Sequence, residues 1–166
     1  MARKPITVLG INPGAKYIGT AVFHNADLRD WRMKAISAKW SDGKMKMIQE
    51  IIVELVIKHQ PGVVALKSLH PSRKSPELGQ LTEWIKLFSE KRGIQVYQYS
   101  IRDLKEFYSP TERINKRELA ERVGIEYPAL FHELNRERSH KNKYFIRMFE
   151  AVALGAICFH ELDSDQ

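Results

Sequence analysis

The chain is predicted to be an α/β protein, with a five-stranded mixed sheet flanked by helices, and three observations lead there. Three β-forming runs follow one another at the start with only short turns between them. Two later apolar runs are each preceded by a stretch of helical periodicity, long enough to carry the chain back so that the next strand lies parallel. The last third ends in a long apolar helix that a sheet face could bury.

In chain order, Ile6 to Ile11 (ITVLGI) is a nearly continuous apolar run, which fits a central strand covered on both faces. Asn12-Pro13-Gly14 turns the chain. Tyr17 to Phe23 is rich in β-formers, and Asn25-Ala26-Asp27 reverses it into a third strand, Leu28 to Ser37. Ser41 is an N-cap for a helix whose apolar residues Met45, Ile48, Ile51, Ile52, Leu55 and Val56 recur at helical spacing up to Lys58 and His59. Gln60-Pro61-Gly62 ends that helix, and Val63 to Leu66 (VVAL) is a short buried strand parallel to the first. A polar loop, His70 to Ser75, leads to a helix over about Pro76 to Arg92, then Gly93 and a fifth strand, Ile94 to Tyr99. Short helices are expected at Ile101 to Tyr108 and Lys116 to Val123, a break at Pro128, and a basic loop or frayed helix start at Arg136 to Lys143. A closing helix runs from about Tyr144 to Leu162.

The 166 residues suit one domain, 1–166, and the 43% hydrophobic and 28% charged shares are those of a globular protein that does not live in a membrane. The apolar run Ala151 to Phe159 falls well short of the roughly 20 residues that span a bilayer. With no secretory leader and one cysteine, Cys158, which reads as a core residue, a reducing cytoplasmic setting is expected. The net charge of +7 points to a polyanionic partner, because Lys and Arg beside phosphates release counterions. A surface rich in both signs would explain the same composition without any such partner.

The order of elements, three hairpin strands, helix, strand, helix, strand, is that of the RNase H-like fold, and the local sequence resembles the RuvC family of Holliday-junction resolvases. LGINPGAKYIGTAVF (Leu9 to Phe23) is similar to the family's opening I-L-G-I-D-P-G-x-x-x-x-G-x-x-V pattern. VVALKSL (Val63 to Leu69) resembles its V-A-I-E strand, ELGQL (Glu77 to Leu81) the helix start that follows, and RMFEAVALGAI (Arg147 to Ile157) its terminal D-A-A-D-A-L-A-I-A helix. The resemblance implies a homodimer and a two-metal acidic site. At the positions of that site the chain carries Asn12, Lys67, Arg147 and Glu150, a formal charge of +1 in place of about −4.

That charge decides the expected chemistry. A two-metal nuclease needs carboxylates to hold the Mg²⁺ pair that activates water and stabilises the leaving oxygen. An Mg²⁺ about 5 Å from one ammonium meets roughly 6–7 kcal/mol of repulsion at an effective dielectric near 20, and a single Glu cannot offset two such neighbours. The expectation is therefore no metal cofactor, with Lys67 and Arg147 both pairing with Glu150 where the ions would have been. This leaves a catalytically inactive, nucleic-acid-binding protein with a cationic cleft for branched or duplex DNA or structured RNA. Its backbone contacts would come from Lys16, Lys67, Arg73, Lys74, Arg136, Arg138, Lys141, Lys143 and Arg147, with His70 placed where the resemblance implies a base-stacking aromatic and Tyr99, Tyr108 and Tyr144 as further stacking surfaces. Two alternatives stand beside it. One is a scaffold domain that kept only the fold; the other is a Mg²⁺-dependent endonuclease with a relocated site using Glu150 with Asp103 or Glu77. The six histidines show no ligand-like spacing.

Overall fold

The computed structural model describes residues 4–36, 38–70, 75–139 and 145–165. Five strands, β1 (Thr7–Pro13), β2 (Tyr17–His24), β3 (Asp27–Ala35), β4 (Val63–Lys67) and β5 (Gln95–Tyr99), form one sheet in the order β3-β2-β1-β4-β5. β1 to β3 are antiparallel neighbours, while β4 pairs parallel with β1 and β5 parallel with β4. This is the mixed sheet the sequence predicts. β1 lies at its centre, and every residue from Val8 to Pro13 is buried, as its unbroken apolar run requires.

The helices are α1 (Asp42–His59), α2 (Pro76–Lys91), α3 (Ile101–Tyr108), α4 (Lys116–Glu126), α5 (Phe131–Ser139) and α6 (Ile146–Ser164), with a 3-10 turn at Pro128–Leu130. Their starts are written in the sequence. Ser41 and Ser75 accept from Lys44 N and Leu78 N, both at 3.1 Å, and Pro76 occupies the first turn of α2, where its missing N–H costs nothing. Ser100 with Asp103 and Asn115 with Glu118 close reciprocal capping boxes on α3 and α4.

Strand alternation divides the core in two. Leu9, Ile11, Val22, Val64 and Leu66 pack on one face with Ile48, Ile52, Leu81 and Ile85 of α1 and α2. On the other, Val8, Ala21, Phe23 and Ala65 meet α6 and, beyond it, Leu104, Leu119 and Val123 of α3 and α4. α6 is buried almost all round from Ile146 to Cys158, so it behaves as an internal element. It presses closely on β2 because Gly19 has no side chain: a Cβ there would stand 2.9 Å from Met148 N. That contact fixes the height of the first turn of α6 against the sheet.

Three boundaries differ from expectation. β1 continues through the turn signal to Pro13, so Asn12 is a strand residue paired with Gly19; proline is tolerated there because it is the last residue of the strand. Residues 136–139, expected as loop or frayed helix, are the second half of the regular helix α5. Its few apolar residues conceal the pattern, since among its side chains only Leu134 and Glu137 are buried. α4 runs three residues past Val123 to Glu126. The predicted starts and ends at Ser37 and Tyr144 lie outside the described residues. Among the described residues no helix is long and apolar enough to cross a membrane.

Candidate functional site

Because β1 and β4 are parallel neighbours with Ile11 opposite Leu66, the next residues, Asn12 and Lys67, lie side by side near the ends of their strands. Period-two alternation turns both toward α6. Glu150 comes down to meet them from one turn inside α6. It is 2% exposed, Asn12 is fully buried, and the side chain of Lys67 is 14% exposed.

Glu150 Oε1 receives two donors, Lys67 Nζ in a direct ion pair and Asn12 Nδ2 at 3.4 Å. Asn12 Nδ2 also reaches the main-chain oxygen of Arg147 at 3.2 Å, while Asn12 Oδ1 is buried without a partner among the described residues. The amide explains how residue 12 can lie so close to a carboxylate. A second carboxylate in its place would oppose both Glu150 and the Arg147 carbonyl unless a cation stood between them. An amide donates to both.

Lys67 thus pairs with Glu150 as expected, but Arg147 does not. No ion pair links Arg147 to Glu150 or to another acid among the described residues, although the two are three apart on one helix. Arg147 instead lays its guanidinium on the backbone of Gly14, where a Cβ would stand 2.6 and 2.7 Å from Nη1 and Nε. Gly14 is buried as a result, although it opens the turn between β1 and β2. The reason is positional: Arg147 opens α6 at the level of the turn, whereas Glu150 sits a turn deeper, against the strand ends.

The turn is held by a residue that sequence reasoning missed. Lys44, in the first turn of α1 and only 5% exposed, donates from Nζ to Ala15 O and Ala38 O, both at 2.6 Å, beneath the Trp40 ring 4.6 Å away. The available signal was a lysine at a helix N-terminus, where the dipole disfavours a cation, followed by mainly apolar residues. Lys16, on the same turn, is exposed and offers its carbonyl to Ile36 N at 2.6 Å.

The remaining predicted contacts are placed unevenly. His70 is exposed three residues beyond β4. Arg136 lies over the Phe145 ring at 5.2 Å, and Arg138 is held by both carboxylate oxygens of Glu121 at 2.9 and 3.0 Å. Arg73, Lys74, Lys141, Lys143 and Tyr144 lie outside the described residues. Tyr99 is no stacking surface: it is buried and donates to Glu161 at 2.7 Å. Tyr108 is largely enclosed too, and burial holds its phenol well above the usual range. Cys158 is buried, and burial pushes its thiol up to about 11, so it is an inert core residue as predicted.

As a donor set, Asn12, Lys67, Arg147 and Glu150 do not fit a pair of divalent cations, since one carboxylate is present and an ammonium already lies on it. Asp103 caps α3 and Glu77 sits in the first turn of α2, so neither joins Glu150. Among the described residues no three His, Cys, Asp or Glu side chains are grouped to hold a metal.

No protein-family model matches the sequence, and neither does any curated protein. Solved structures do. The T. thermophilus RuvC in complex with a Holliday junction substrate superposes with a TM-score of 0.69 at 18% identity, over 95% of this chain and 96% of that one. A second Thermus thermophilus RuvC structure gives 0.66 at 18% identity, over 94% and 95%. The complex of the Fowlpox virus resolvase with substrate Holliday junction DNA gives 0.61 at 15% identity, over 95% and 99%. At such identities the likeness is one of architecture, and the chain has the RuvC-like, RNase H-type α/β fold.

Proposed function

We propose that this chain is a cytoplasmic, single-domain nucleic-acid-binding protein that has exchanged metal-dependent phosphodiester hydrolysis for binding through a cationic cleft, with branched or duplex DNA, or structured RNA, as its ligand. The observation that carries the reading is the Asn12–Glu150–Lys67 arrangement, one buried carboxylate with an ammonium on it, with Arg147 beside it. Fixed cations can bind phosphate without supplying the activated water that a metal would. The net charge of +7 and the fold shared with two junction-bound resolvase structures support a polyanionic partner. A homodimer belongs to the same proposal. It is supported by the exposed Leu87 on α2, next to the stacked Trp84 and Phe88 rings 4.9 Å apart, on an open groove of about 910 Å³.

The test is equilibrium binding to a labelled four-way junction, a duplex and a hairpin RNA across a salt series, with Mg²⁺ or Mn²⁺ present in a parallel cleavage assay. Binding with a log K against log salt slope of several units and no metal-dependent cutting supports the proposal. No binding at low salt would favour the scaffold reading, and cutting abolished by Glu150→Gln would favour a nuclease.

A further inference from the structure

The two cations of the cleft are not equivalent. Lys67 is committed: its ammonium lies on a carboxylate that is itself 2% exposed, and among the described residues that carboxylate has Asn12 as its only other donor. Arg147 is partly exposed and pairs with no acid among the described residues. It also sits where a helix tolerates a cation least, in the first turn of 19-residue α6, a turn with no acidic residue. Glu137, a buried acid, accepts from the N-cap Phe145 N at 3.1 Å and so serves the backbone of that helix start, without an ion pair to Arg147. A planar group with five donors is therefore held in the first turn of the helix with no ion-pair partner among the described residues. Such breaches of local rules collect at functional sites.

The guanidinium is nonetheless held in place. It rests on Gly14, where a Cβ would stand 2.6 and 2.7 Å from Nη1 and Nε and would displace it, and the turn beneath is fastened by the Lys44 ammonium through Ala15 O. Lys16 extends from the same turn into solvent. We infer that Arg147, seated on Gly14, is the residue of the cleft that takes a backbone phosphate of the nucleic acid, with Lys16 as its neighbour, and that Lys67 is an internal counterion making no phosphate contact. This rests on the nucleic-acid reading above and corrects the sequence expectation that both cations serve alike.

Counterion release makes the division measurable, because each phosphate contact contributes about 0.9 to the salt slope. Fluorescence anisotropy with a labelled junction between about 50 and 300 mM salt compares the full-length protein with three variants whose folding is checked by circular dichroism. Arg147→Ala is expected to flatten the slope by about 0.9 and weaken binding about fivefold near 0.15 M salt. Gly14→Ala keeps every charge but displaces the guanidinium, so affinity falls toward that of Arg147→Ala. Lys67→Met with Glu150→Gln, which removes the ion pair as a unit, leaves the slope unchanged. An unchanged slope in Arg147→Ala, unchanged affinity in Gly14→Ala, or a flattened slope in the double variant overturns the inference while the wild-type protein still binds. Absence of salt-dependent binding by the wild type overturns the nucleic-acid reading along with it.

Discussion

Lys67→Met is the most searching perturbation of the site. It removes the ammonium from Glu150 and leaves a carboxylate that is 2% exposed, with only the Asn12 amide at 3.4 Å to serve it. Removing one member of a buried ion pair costs about 3–5 kcal/mol, chiefly because the other charge is left without compensation. For a chain of this size each kcal/mol moves the melting temperature by roughly 2–4 °C, so a drop of about 10 °C is expected by calorimetry near pH 7. Adding Glu150→Gln to Lys67→Met removes the stranded charge and should restore stability to within about 1 kcal/mol of wild type, or exceed it. If Lys67→Met melts within a degree of wild type, the ion pair is not what holds the strand ends to α6.

Other outcomes follow from the same structure. The triple change Asn12→Asp, Lys67→Glu and Arg147→Asp should create Mn²⁺ binding, read by titration calorimetry, where the wild type gives no heat; equal heats from both proteins would contradict the electrostatic account. Cys158 should resist thiol reagents in the native protein at about pH 8 and react fully on unfolding. Its thiol is raised from 9.0 to about 11, so the associated stability is intact below about 9 and is lost as pH rises toward 11, an effect that Cys158→Ala would remove. Lys44→Met should leave the turn between β1 and β2 less protected in amide hydrogen exchange, with Ile36 N, bonded to Lys16 O, as the reporter; unchanged protection would show that the ammonium does not fasten it.

Much of the architecture could be read before any coordinates. The N-cap at Ser41 and the helix starts near Pro76, Ile101 and Lys116 were legible locally, and the unbroken run of β1 announces a central strand. The convergence of Asn12, Lys67 and Glu150 was legible only through resemblance, because nothing local ties residues 138 positions apart. The side-chain partners were harder. Spacing allowed Arg147 and Glu150 to share a face, but it could not show that the guanidinium would be drawn to a side-chain-free backbone at Gly14. α5 was missed because its contacts are mostly polar: Glu133 accepts from Trp31 Nε1 at 3.2 Å and Glu137 serves Phe145 N. A polar helix face gives no periodic apolar signal.

The Asn12 amide has a consequence for how such a site can change over generations. Its NH₂ group ties the end of the central strand to both the backbone and a carboxylate of α6, so Asn12→Asp alone would set three oxygens against one another. Lys67→Glu alone would put a second acid beside Glu150 and remove the cation that neutralises it. Each single step toward an acidic cluster passes through a less stable protein, whereas both together call for a metal ion to relieve them. The arrangement therefore resists conversion by point mutations taken one at a time.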